Sequence, residues 1–105
     1  MQNHRIAALL DFIRDDPNDA SAKYMVALEF IKEEAFQEAL RWMNELRSVH
    51  ANYLPNYYHY GKLQERLGMP DEAAQTYEDG MKVAKAVNDT HTFMELKGAY
   101  EMLLM

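Results

Sequence analysis

Residues of the same or similar type recur in this sequence at a spacing of 34 positions. Tyr24 is followed 34 residues later by Tyr58, and the small residue Ala27 by Gly61. Further pairs at the same spacing are Glu38 with Glu72, Ala39 with Ala73, and Met43 with Tyr77. A fixed period of about 20–50 residues is typical of proteins in which one small structural unit stacks on the next. Small residues are needed in such units because two helices approach closely only where no bulky side chain intervenes.

The composition favours helix over strand. The chain of 105 residues contains only four Gly and three Pro, and it is rich in the good helix formers Ala, Leu, Glu, Lys, Met and Gln. Its length is sufficient for one small globular unit. We therefore expect an all-α fold in a single domain that covers residues 1–105.

Hydrophobic spacing and helix start and stop signals predict about six helices. The first helix ends at Asp16-Pro17-Asn18, the second runs from the region 18–21 to near Glu34, and the third contains Phe36 to Leu46. The fourth covers about 55–67, the fifth runs from Pro70 to about Val87, and the sixth covers about 90–104. Pro55 and Pro70 suit the first turn of a helix, and Gly68 suits a C-terminal end. Because the turns are short, successive helices should pack as antiparallel neighbours.

Two segments carry a recognisable motif. One reads YYHYGKL at 57–63, followed by LG at 67–68 and DEAAQTY at 71–77; the other reads KYMVAL at 23–28, followed by FQEAL at 36–40. Both segments resemble the tetratricopeptide repeat (TPR). The resemblance divides the chain into a half repeat at 4–19, repeats at 20–53 and 54–87, and a C-terminal capping helix at 90–104. It implies an α-solenoid, a right-handed superhelical stack of antiparallel helical hairpins.

Three positions depart from the family pattern. Glu34 occupies a turn in which Gly68 stands one repeat later, Gly80 replaces a usual alanine, and Gln64 stands where an aromatic residue is usual. A glycine inside a helix costs about 1 kcal/mol relative to alanine. These departures lead us to expect changes in the first hairpin turn and in local packing.

The resemblance also implies a function, namely a non-catalytic scaffold or adaptor that holds a peptide or helix of a partner protein in a concave groove. Transferred to this sequence, the groove residues are Tyr24, Met25, Leu28, Tyr58, His59, Lys62, Arg66 and Phe93. Aromatic anchors beside a basic stripe at Lys62 and Arg66 suit an apolar peptide that carries a carboxylate. For Leu28 a place in the core is the better explanation, because every amphipathic helix buries an apolar stripe.

Other residues of the same helices are better explained by packing than by binding. Tyr57 and Tyr60 fall at repeat positions that pack inside and between hairpins, so we expect them in the core. The carboxylate clamp that some family members use on chaperone tails is not matched, because Tyr24 and Leu28 stand where that clamp places lysine and asparagine.

An alternative function is self-association. A short array leaves hydrophobic end surfaces that need a polar cap. The last predicted helix has many apolar residues: Phe93, Met94, Leu96, Tyr100, Met102, Leu103 and Leu104. The chain could therefore be an assembly element that docks through its terminal helices, for example as a homodimer.

Several function classes are disfavoured by the residues present. The net charge of −6 argues against nucleic acid as a partner, because phosphate contacts need a basic surface. Cysteine is absent, which excludes thiolate metal sites and disulfides. The histidines form no pair at ligand spacing, and no phosphate-binding loop or nucleophile motif occurs. We expect no enzymatic activity, no cofactor and no bound metal.

Membrane and export signals are also missing from the pattern. The apolar run at 6–10 is broken by Asp11 and is too short for a signal-peptide core. No other apolar stretch approaches the roughly 20 residues that a membrane span requires. We expect a cytoplasmic protein with no membrane partner.

Overall fold

The computed structural model describes residues 3–105, and residues 1 and 2 lie outside the described part of the chain. The described residues form six α-helices and no strand, which confirms the all-α prediction. The helices are α1 (His4–Asp15), α2 (Ala20–Lys32), α3 (Phe36–Val49), α4 (Pro55–Arg66), α5 (Pro70–Ala86) and α6 (Thr90–Leu103). Their order and approximate bounds agree with the hydrophobic spacing of the sequence.

Polar residues and prolines set the helix starts. The side chains of Asn3, Asp19 and Asp89 each accept a hydrogen bond from the backbone N–H three residues later, at 3.0, 2.9 and 3.0 Å. These bonds satisfy one of the N–H groups that a helix start leaves without an intrahelical partner. Pro55 and Pro70 begin α4 and α5, where the missing proline N–H has no consequence.

The three hairpin turns share one backbone geometry. Each contains a residue with positive φ, namely Glu34 at 58°, Gly68 at 75° and Asn88 at 60°. The next backbone N–H donates to a carbonyl five residues earlier, at 2.8, 2.8 and 2.9 Å, which is the closure common at helix C-termini. The departure at Glu34 therefore leaves the turn intact, although a non-glycine residue is strained in this conformation.

The chain divides into two compact units, one ending at Ala51 and the other spanning Asn52–Met105. In the first unit α2 packs against α1 and α3. In the second unit α5 packs against α4 and α6, and α4 also touches α6.

One apolar cluster of the first unit lies between α1 and α2. Its buried residues Leu9, Ile13, Ala22 and Val26 are flanked by the half-buried side chains of Ile6, Phe30 and Trp42. An ion pair between Arg5 Nε and Glu29 Oε1, 2.7 Å long, joins the same two helices. Apolar packing provides most of the stabilisation here, because Arg5 is largely exposed and an exposed pair contributes little.

The core of the second unit combines aromatic rings with close helix approach. Tyr57 and Tyr77 are buried together with Ala73, Leu96 and Ala99, and Tyr60 is also buried, which confirms the prediction for Tyr57 and Tyr60. A Cβ atom added to Gly80 would lie 2.6 Å from Tyr57 Cβ. Gly80 is therefore required by the close approach of α5 to α4. The helix propensity that glycine costs α5 is accompanied by tight packing against Tyr57.

Candidate functional site

The first unit presents three predicted binding residues on α2. Tyr24 and Leu28 are half-buried, and Met25 is exposed to 38%. Tyr24 and Leu28 are four residues apart and so lie on one face of the helix. This surface is apolar apart from the tyrosine hydroxyl, and it can contact aliphatic or aromatic side chains.

In the second unit, α4 brings three of the predicted residues into mutual contact. The rings of Tyr58 and His59 meet edge to face, with centroids 5.6 Å apart and planes at 87°. The ammonium nitrogen of Lys62 lies 5.6 Å from the centroid of the Tyr58 ring, within the range of a cation–π interaction. Arg66 is exposed at the end of the same helix. The α4 face thus combines aromatic surface, an imidazole and positive charge.

Glu65 also belongs to this face, at a position that the family resemblance assigns to the groove. Its Oε2 atom lies 3.8 Å from Lys62 Nζ and accepts a hydrogen bond from the Tyr77 hydroxyl of α5. Burial, and then the bond to Glu65, raise the pKa of Tyr77 far above its ordinary value of 10.0, so this phenol stays protonated and donates. Tyr77 and Glu65 are 12 residues apart across the hairpin, as are the hydrogen-bonded residues Thr76 and Gln64. This shared spacing is the sequence signal from which the Tyr77–Glu65 pair could have been predicted.

The charge state of His59 is set by its surroundings on the helix face. Partial loss of hydration lowers the pKa of His59 from its ordinary value of 6.5, and the negative charge of Glu95 on α6 acts in the opposite direction. Desolvation disfavours the charged imidazolium. At neutral pH the ring is therefore uncharged, and Lys62 and Arg66 supply the positive charge near it.

Phe93 belongs to α6 of the second unit. It lines a cavity of about 210 Å³ together with Ala84, Lys85, Asn88, Asp89 and Thr90, and no α4 residue contributes to that lining. Asp89 is engaged there, because it accepts hydrogen bonds from the N–H and hydroxyl of Thr92, which lower its pKa.

The described residues offer no evident metal site. Within residues 3–105 no group of three or more His, Asp or Glu side chains is placed to hold a metal ion. None of the helices in the described part of the chain is both long and apolar enough to cross a membrane. The chemistry available on α4 is that of hydrogen bonding, aromatic contact and charge.

Solved structures similar to this chain are tetratricopeptide repeat proteins. The solution structure of a tetratricopeptide repeat domain protein from Salinibacter ruber is 35% identical, with 84% of this chain and 89% of that chain covered and a TM-score of 0.80. A crystal structure from the same organism gives 34% identity, coverage of 81% and 96%, and a TM-score of 0.78. A Bordetella parapertussis protein of the same fold is 19% identical, with coverage of 99% and 90% and a TM-score of 0.80.

Comparisons at the level of sequence give no further information about relatives. No family model matches the chain, and no curated protein matches it.

Proposed function

Because this chain belongs to the tetratricopeptide repeat family, we propose that it is a non-catalytic scaffold or adaptor that binds a peptide or helix of a partner protein. The family's fold is in general that of a protein-interaction module. The proposal adds a location, which is the face of α4 that carries Tyr58, His59 and Lys62.

The observation that carries the proposal is the contact cluster on α4. Tyr58 packs against the core of its unit while remaining partly exposed, and the His59 ring and the Lys62 ammonium both lie against it. A tyrosine held in this way loses little conformational entropy when a partner covers it, so it suits an anchor in an interface. Arg66, one turn further along the same helix, is assigned to the rim of this contact.

Two further surfaces are proposed to contact partner segments. On α2, the residues Tyr24, Met25 and Leu28 form an apolar face in the first unit. On α6, Phe93 lines the cavity beside the α5–α6 turn, into which one small apolar side chain would fit. A location in the cytoplasm and the absence of nucleic-acid and membrane partners stay predictions.

The proposal is tested by identifying a partner and then measuring its affinity. Partners captured from an extract of the native host would be purified and titrated by calorimetry against the wild-type chain and a Tyr58→Ala/His59→Ala variant. We expect the double substitution to weaken binding by about tenfold or more, because truncated anchor residues dominate interface losses. A Lys82→Ala variant, altered at an exposed position of α5, is the control. Equal affinity of the double variant and the wild type would refute the assignment to α4.

A second candidate function is self-association through α6. Its outer surface exposes Met94 to 55%, Met102 to 72% and Leu104 to 63%, and exposed apolar patches often mark association sites. Light scattering over a range of concentrations would show a dimer that is lost in a Met94→Glu/Met102→Glu variant. A wild-type chain that stays monomeric at every concentration would eliminate this candidate.

A further inference from the structure

We infer that the α4 face receives an arginine side chain of the partner protein, placed between the Tyr58 ring and the Glu65 carboxylate. The Lys62 ammonium holds this position in the free protein. The inference rests on the proposed function and specifies the chemistry of the partner at that same site.

Lys62 lies between an aromatic ring and a carboxylate. Its Nζ atom lies 5.6 Å from the centroid of the Tyr58 ring and 3.8 Å from Glu65 Oε2. The three residues follow one another at four- and three-residue spacing, so they share one face of the helix. An aromatic face beside a carboxylate is a combination that stabilises a cation, and an intrahelical lysine already demonstrates the fit.

The Glu65 carboxylate is held in place before any partner arrives. Tyr77, which is fully buried, donates its hydroxyl hydrogen to Glu65 from the neighbouring helix. The Glu65 side chain nevertheless keeps 30% of its surface exposed. A carboxylate that is oriented by the core and still accessible loses little entropy on binding, which is how preorganised sites gain affinity.

The Lys62 ammonium can be displaced from this position by a side chain of the partner. The Lys62 side chain is 44% exposed, and a lysine ammonium is a strongly hydrated charge on a flexible stem. A guanidinium is planar, less strongly hydrated, able to stack on the Tyr58 ring and able to donate two parallel hydrogen bonds to Glu65. An arginine of the partner is therefore a better occupant than Lys62, which can move into solvent without disturbing the core.

The Glu65 carboxylate favours a cation over an acid between itself and the Tyr58 ring, although the exposed Arg66 adds positive charge one turn further along α4. The positive charge of Lys62 is already opposed by Glu65, Glu95 acts electrostatically on the adjacent His59, and the chain as a whole carries a net charge of −6. An acidic side chain would meet the Glu65 carboxylate. This inference differs from the sequence-based expectation of a carboxylate-bearing peptide, which stays a prediction for the rim at Arg66.

The first unit supplies an internal control. At the positions 34 residues earlier, α2 carries Tyr24, Leu28 and Ile31, so the tyrosine is kept while the cation and the carboxylate are both replaced by aliphatic residues. This α2 face should show no preference for a cationic ligand. Tyr24 therefore serves as the reference signal in the same sample.

The test uses three capped peptides that differ only at the central residue, acetyl-Ala-Leu-X-Leu-Ala-amide with arginine, glutamine or glutamate as X. Each is titrated into the full chain at neutral pH and low salt, while the ring signals of Tyr58 and Tyr24 are followed by NMR. We expect only the arginine peptide to shift Tyr58 saturably. Replacing Lys62 by methionine should tighten binding by about threefold, and Glu65→Gln should weaken it by about fivefold or more.

Neither Glu65→Gln nor Lys62→Met is expected to disrupt the fold. Glu65→Gln keeps an oxygen that can accept the Tyr77 hydroxyl bond, and Lys62 is exposed, so circular dichroism of both variants should match the wild type. If the arginine peptide does not shift Tyr58, or if Lys62→Met weakens its binding, the inference is wrong. A natural partner that loses affinity both on Tyr58→Ala/His59→Ala and on Lys62→Met would retain the proposed function while eliminating the arginine.

Discussion

The hairpins α2–α3 and α4–α5 follow the same 34-residue register, yet they fill equivalent positions with different volumes. Where the first hairpin buries Ala27 and Met43, the second buries Gly61 and Tyr77. A Cβ atom on Gly61 would lie only 2.2 Å from Tyr77 Cε1, so the larger ring on one helix requires the smaller residue on the other. Packing is preserved by exchanging volume between partner helices, in keeping with the tolerance of cores to volume-conserving changes.

The two hairpins also differ in how they place polar groups. In the first, the buried Lys23 donates to Glu45 Oε2 at 2.9 Å and lies 3.2 Å from His50 Nε2. A lysine ammonium has no acceptor, so in this contact the His50 Nε2 atom accepts. The second hairpin has Tyr57 at the position of Lys23 and a glycine at the position of Leu46. At equivalent repeat positions, the first hairpin therefore has a buried lysine with polar partners, and the second has the Tyr57 ring packed against Gly80.

The largest effect is expected where the second hairpin is tightest. Gly80→Ala places a methyl group against Tyr57 Cβ, which is fixed to the backbone and cannot rotate away. We expect a loss of about 3 kcal/mol in the free energy of unfolding, at the upper end for overpacking. Urea unfolding followed by circular dichroism would measure the loss, and amide hydrogen exchange in α4 and α5 would locate it.

The control for this prediction is the same substitution at Gly98. That residue is exposed within α6 and has nothing within 4 Å of an added Cβ. Gly98→Ala should therefore stabilise the chain by about 0.5–1 kcal/mol through helix propensity. If both alanines stabilise, the close approach of α4 and α5 at Gly80 is not real.

The next largest effect concerns the charge network of the first hairpin. Glu45→Ala removes the carboxylate partner of the buried Lys23. We expect a loss of about 2 kcal/mol, less than for a fully buried pair because Glu45 is 45% exposed. Fluorescence of Trp42, the chain's single tryptophan, reports unfolding of this unit. Adding Lys23→Met should restore most of the stability, and a double variant no better than the single one would contradict the explanation.

A smaller effect is expected from the polar pair inside the second hairpin. Thr76 Oγ1 donates to Gln64 Oε1 at 2.6 Å, and both residues are buried. Thr76→Val should cost about 1 kcal/mol because it leaves the amide oxygen without this donor. The double variant Gln64→Leu/Thr76→Val should be close to the wild type in urea unfolding, since both polar groups are removed together. A double variant worse than the single one would show that the pair is needed for packing.

The helices and much of the core followed from the sequence because their signals are local. Apolar spacing, capping aspartates and prolines act within a few residues, and the register correctly assigned Tyr57 and Tyr60 to the core. The burial of Lys23 could not be predicted in this way, because it depends on Glu45 and His50. These two residues lie at the C-terminal end of a different helix, α3. A change in packing at Gly80 was expected, but its close contact with Tyr57 was not, since Tyr57 lies on a different helix.

The candidate site was only partly accessible to the same reasoning. The four-residue spacing of Tyr58 and Lys62 already placed both on one helix face, and the structure brings them into contact. The role of Glu65 depends on a hydroxyl from α5, which no spacing within α4 reveals. The domain bounds of 1–105, the repeat bounds and the common groove that would include Tyr24, Tyr58 and Phe93 stay predictions.

The smallest predicted effect is the pH dependence contributed by His59. The unfolded chain binds a proton near the ordinary value of 6.5, whereas the pKa of His59 in the folded chain is lower because of desolvation. Protonation therefore favours the unfolded state in the window just below 6.5. This contribution to stability is complete above that window and decreases as the pH falls through it. Urea midpoints measured across the window should fall less steeply for His59→Gln than for the wild type.

A direct measurement of the imidazole removes any ambiguity from the other histidines. The NMR titration of the His59 Cε1 proton should have its midpoint below 6.5 in the wild type. Glu95 raises this pKa, so Glu95→Gln should move the midpoint further down, because the imidazolium loses a favourable negative charge. A midpoint that does not fall in Glu95→Gln would mean that the charge of Glu95 does not raise the pKa of His59. One part of the negative potential that we assign to the arginine site would then be absent.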